Sequence, residues 1–141
     1  MLSAIGLLPT MMTKAIYAIC FSLAVGSLAI GFASGTWSLM SGEDALIFPL
    51  VAGPYAVIAA VAWWRRSSSR ESLVLLGTVI LIGVYGLVAI GASAYRFHTT
   101  PHDEIAMDLT PVVVPAVQWL VAVSVAALLG VIGWIGSIAG K

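Results

Sequence analysis

The sequence predicts an all-α membrane protein, a bundle of four transmembrane helices that reads further as two parallel-repeat helical hairpins. Three observations carry this. Hydrophobic residues make up 61% of the 141-residue chain and charged residues only 9%, against roughly 45–50% and about 25% in soluble domains. Four apolar stretches each approach or exceed the ~20 residues that a bilayer-spanning helix needs. The charges fall outside those stretches and are sorted by sign between them.

The first span, 15–35, follows Lys14 and is longer than the ~7–15-residue core of a signal peptide, so a retained helix is expected rather than a cleaved leader. The second, 45–64, follows Ser41-x-x-Asp44 and carries Pro49 and Pro54. The third, 73–95, follows Ser68-x-x-Glu71; both tetrads have the form of a capping box. The fourth, 112–139, opens on Thr110-Pro111, an N-cap followed by proline at the first helical position, and contains Pro115. Interior prolines are tolerated in membrane helices because neighbouring helices satisfy the freed carbonyls. The whole chain, 1–141, is expected to form one domain.

Lys14, Arg65, Arg66, Arg70, Glu71 and Lys141 lie on one side of the predicted spans and sum to +4, whereas Glu43, Asp44, Arg96, Asp103, Glu104 and Asp108 lie on the other and sum to −4. The lysine and arginine bias places the first set, with both termini, in the cytoplasm, as in a bacterial-type plasma (inner) membrane. Trp37, Trp63, Trp64, Tyr95, Trp119 and Trp134 fall near predicted span ends, where an aromatic belt is expected.

A shift of 60 positions lays Gly26, Ala29, Ile30 and Gly31 on Gly86, Ala89, Ile90 and Gly91, Trp37 on Phe97 and Asp44 on Glu104; one further residue brings Pro54 onto Pro115. Two hairpins of the same orientation, related by an axis along the membrane normal, would produce this pattern.

Small residues supply the expected packing or subunit-contact faces: Ser22, Gly26, Ala29 and Ala33 in the first span, Gly86, Ala89 and Ser93 in the third, and the pairs Gly31/Gly35 and Gly136/Gly140. Lipid gives helices no hydrophobic reason to associate, so close approach over small residues provides it. Gln118 is the only side-chain amide within a span and is expected to bond to a neighbouring helix; with Tyr55, Thr78, Tyr85 and Ser124 it would otherwise line a polar path.

The outer loop gathers His98, His102, Asp103, Glu104 and Asp108 within eleven residues, ligand types that bind zinc. The spacing matches no recognised site, and Thr100-Pro101 reads as a helix start with acids in its first turn. No metal and no cofactor is therefore expected. The single cysteine, Cys20, permits neither an internal disulfide nor a redox pair. No Asp, Glu, Lys, Arg or His lies within a predicted span, against proton-coupled carriers and bis-histidine haem bundles, and no nucleotide, hydrolase or metalloprotease motif appears. A neutral chain without a basic tract does not suggest nucleic acid. The sequence thus points away from an enzyme, towards a structural or accessory subunit partnered by lipid and by itself or other membrane subunits. A small oligomeric channel or facilitator is the alternative; an enzyme or metal-binding protein built on the outer loop ranks last.

Overall fold

The structure, a computed structural model, describes residues 2–33, 46–65, 69–99 and 110–139, leaving aside the side chains of 2–10, 69, 97 and 111. Four α-helices account for nearly all of them: α1 Leu2–Ala33, α2 Ile47–Trp64, α3 Ser69–Thr99 and α4 Thr110–Ala139. Each contains a stretch long and apolar enough to cross a membrane. At about 1.5 Å per residue, the 18 residues of α2 reach about 27 Å, close to the ~30 Å hydrocarbon core.

Three helices outrun the spans read from hydropathy. α1 begins at Leu2 instead of 15, α3 covers Ser69–Thr99 instead of 73–95, and α4 begins at Thr110 instead of 112, while α2 begins at Ile47 instead of 45. Apolarity marks the hydrocarbon, but backbone hydrogen bonding continues through the interface until a partner or a turn replaces it. Pro49 also changes status. It sits in the first turn of α2, where the missing N–H has no intrahelical partner to lose, so of the three prolines read within spans two, Pro54 and Pro115, are interior to their helices.

α1 packs on α2 and α3, and α4 packs on α2 and α3, so the helices surround the bundle in the order α1–α2–α4–α3. The hairpins α1–α2 and α3–α4 therefore stand side by side in parallel. Leu23 lies over Gly83 and Gly26 beside Leu87, nearly the 60-residue offset of the sequence repeat. The expected twofold along the membrane normal is not what relates them. It would make α2–α3 and α1–α4 equivalent, yet α2 meets α3 and α1 scarcely touches α4. A sideways displacement describes the relation, so matched residues meet different surroundings: Gly86 is buried and Gly26 half-buried.

The buried seam of α2 is Val51, Pro54, Tyr55, Ile58 and Ala62, a helical i, i+3, i+4, i+7 pattern. Two apolar clusters result. The larger contains Ile16, Cys20, Ile58, Leu75, Val79, Ile82, Ala122 and Leu129; the smaller joins Val51, Ile90 and Val114. Thr13, Ser27, Ser72, Ser93 and Gln118 are buried among them, while Phe21, Leu81, Val88, Leu120 and Trp64 stand outside. Large apolar side chains facing outward, and an amide kept inside, are what a lipid solvent permits.

Candidate functional site

In a helix each side chain leans over the turn on its N-terminal side, so residue i+4 covers the carbonyl of residue i. Where that cover is absent, a side chain from another helix can reach the carbonyl's second lone pair. Three such openings bind this bundle together.

The first is in α2. Pro54 has no N–H for the Leu50 carbonyl, and the Trp119 indole N–H of α4 donates to that oxygen at 3.1 Å. Gly53 provides the space; a Cβ there would strike the Trp119 ring. The second is in α3. Gln118 Nε2 donates to the Ile82 carbonyl at 2.9 Å, passing over Gly86, whose absent Cβ would occupy the same position. The same nitrogen also donates to Tyr55 Oη of α2 at 3.1 Å, so one amide ties α2, α3 and α4.

The third opening is in α4, and the end of α2 fills it. Arg65 caps α2, its N–H donating to Val61 O at 2.9 Å. Its guanidinium grips Glu71 of α3 with two bonds, Nε to Oε2 at 2.7 Å and Nη2 to Oε1 at 2.6 Å. Nη1 donates to the Leu129 carbonyl of α4 at 2.7 Å, over Gly133, where a Cβ would meet the guanidinium. The pair is largely shielded, with side chains 23% and 16% exposed. A bidentate geometry of this kind is the more effective form of ion pair.

The predicted site residues fall into separate groups. Gln118 is 1% exposed and bonds across helices to Tyr55 and to the Ile82 carbonyl; the other residues expected beside it are placed elsewhere. Thr78 Oγ1 donates to Val74 O of its own helix, Ser124 is exposed, and Tyr85 is 43% exposed. Gly86 and Ser93 are buried and Ala89 half-buried, within the α3 packing face. Ser22, Ala29 and Ala33 are exposed on α1, whose buried seam runs instead through Thr13, Ile16, Cys20, Ser27 and Gly31. Gly136 is exposed with open space around it. His98 is exposed at the end of α3. Among the described residues no histidine, cysteine and carboxylate group of three gathers, and His102, Asp103, Glu104, Asp108, Gly35, Gly140, Trp37 and the tetrad Ser41–Asp44 lie outside them.

Trp119 has a contact that its place near a span end did not reveal: it is half-buried against Gly53 between α2 and α4. Trp63, Trp64, Tyr95 and Trp134 are exposed. Arg65, Glu71, Gly53 and Gly133 were not singled out as contacts by sequence reasoning. The available signals were opposite charges six residues apart between two predicted spans, and a glycine beside a proline within a span.

Four long apolar helices, with polar groups turned inward and used between helices, define an integral membrane protein of the four-helix-bundle class. Comparison with protein-family models, curated proteins and solved structures gives no match.

Proposed function

We propose that this protein is a non-enzymatic structural or accessory subunit of a bacterial-type inner membrane. It assembles with further copies of itself or within a larger membrane complex, and its termini and the Arg65 turn face the cytoplasm. The observation that supports this reading is how the polar side chains are used. Gln118, Trp119 and Arg65 each end on a backbone carbonyl of a neighbouring helix, so these polar groups are committed to holding the bundle. No Asp, Glu, Lys, Arg or His occurs in the middle of α2, α3 or α4, where proton relays and ion pathways place them.

Reconstitution into lipid vesicles tests it. Fluorescently tagged chains are expected to photobleach in more than one step per particle, or to co-purify with another membrane subunit from native membranes. The same vesicles are expected to show no cation flux above empty controls. Saturable flux carried by the purified chain would replace this reading with the facilitator alternative.

A further inference from the structure

We infer that the groove between α1 and α2 holds one anionic phospholipid from the leaflet on the Lys14 side, its acyl chain lying between the helices and its phosphate paired with Lys14. The inference is independent of the subunit role proposed above and needs only that α1 and α2 span the bilayer.

The groove has a volume of about 400 Å³ and is lined on α1 by Tyr17, Phe21 and Ala24 and on α2 by Ala52, Ala56 and Ala59. It has a direction. Beyond Ala24 and Ala52, Phe32 of α1 and Phe48 of α2 bring their ring centroids to 5.7 Å and close the seam between the helices. The opposite end leads to Lys14 and Trp63. Lys14 stands seven residues before Phe21 and Trp63 seven residues after Ala56, spacings that return each to the groove's own face of its helix. Both are exposed. The helix from Lys14 to Ala24 rises about 15 Å, half of the ~30 Å hydrocarbon core and so the depth of one leaflet.

Charge selects the occupant. Glu71 is the one Asp or Glu on the Lys14 side of the predicted spans, and Arg65 already holds it with two bonds. Among the described residues no ion pair reaches Lys14. An ammonium at the edge of the hydrocarbon, with no carboxylate of its own chain to meet, is matched by a lipid phosphate, and a lipid of net negative charge matches it better than a zwitterionic one. The lysine stem can run along apolar surface while its head stays in the polar layer, and an indole at the position of Trp63 belongs at headgroup level. Lipid gives no hydrophobic drive to fill the groove, so the chain is held by close packing against the alanines and aromatic rings. The groove thus supplies the seat and Lys14 the choice of headgroup.

Native mass spectrometry of the delipidated chain in detergent, titrated with phosphatidylglycerol or phosphatidylcholine of the same acyl chains, tests this. One phosphatidylglycerol is expected to bind about fivefold more tightly than phosphatidylcholine, the preference that a single lysine near an anionic headgroup provides. Lys14→Gln is expected to abolish the preference. Arg70→Gln, an equal loss of charge at an exposed position of α3, is expected to retain it. Ala56→Leu, also at an exposed position, fills the groove without entering the core and is expected to weaken binding of both lipids. Thermal unfolding of each variant is measured beside it, and Lys14→Met and Ala56→Val repeat the two arms should either variant fail to fold. Equal losses in Lys14→Gln and Arg70→Gln would overturn the inference in favour of a diffuse basic surface. A parent chain without headgroup preference would overturn it too, as would binding that Ala56→Leu leaves unchanged.

Discussion

Trp119 donates its indole N–H to the Leu50 carbonyl, the oxygen that Pro54 leaves without its helical partner. The proline removes a bond within α2 and the tryptophan of α4 replaces it with one between helices. In water a solvent molecule would serve; in hydrocarbon the neighbouring helix must.

Trp119→Phe, which keeps the ring over Gly53 but removes the donor, is expected to lower stability by about 0.5–1.5 kcal/mol. In a Pro54→Ala background the loss is expected to shrink, because the alanine restores a backbone N–H for the Leu50 carbonyl. A double-mutant cycle read by unfolding in mixed micelles checks the coupling. Additive losses would mean that Trp119 contributes packing alone.

Gly86→Leu is expected to disturb folding far more than Ile82→Leu. Ile82 is a buried apolar residue, and exchange for an isomer usually costs less than about 1.5 kcal/mol. At Gly86 even a Cβ displaces Gln118 Nε2, so Leu adds overpacking of about 1–3 kcal/mol to the loss of the amide's bonds. Gly86→Ala is expected to fall between the two. Equal resistance of Gly86→Leu and Ile82→Leu to detergent unfolding would show that Gln118 does not depend on this opening.

Arg65→Lys is expected to destabilise by about 1–3 kcal/mol, since an ammonium cannot hold Glu71 bidentately and reach Leu129 as well. Gly133→Ala is expected to act in the same direction by pushing the guanidinium off α4. Arg70→Lys, at an exposed position, serves as the comparison and is expected to change little. Thermal unfolding in micelles measures all three, and a neutral Arg65→Lys would demote the clamp to a surface contact.

Cysteine substitutions at Ser68 and Thr99, in a Cys20→Ala background, report orientation. An impermeant thiol reagent added to intact cells is expected to label position 99 and spare position 68 until the membrane is opened. Labelling of position 68 from outside would invert the assignment made from the lysine and arginine bias.

The number of helices, their approximate positions and their solvent were legible in the chain because transfer of apolar residues into lipid depends on local composition. Gln118 could be recognised as an interhelical donor for the same reason, as a lone amide must find a partner. The role of Trp119 could not. Its position suggested a boundary ring, and only the approach of Gly53 and Pro54 on another helix shows what its N–H meets. Glu71 has the spacing of a capping residue with Ser68, which lies outside the described residues, and its carboxylate also engages Arg65, a contact that the spacing did not reveal.

Sequence by itself determined that four helices cross the bilayer in two like-oriented hairpins and which groups must be shielded from lipid. Those follow from hydropathy, connectivity and charge, quantities summed along the chain. Tertiary structure alone decided the order α1–α2–α4–α3 and which faces of α1 and α3 turn inward. It also decided that Gly53, Gly86 and Gly133 admit side chains to carbonyls rather than backbone to backbone. In a helix that is apolar on every side, no contrast between a greasy and a polar face selects the side that turns inward. Selection falls to shape and to single hydrogen bonds, and both exist only once two helices lie against each other.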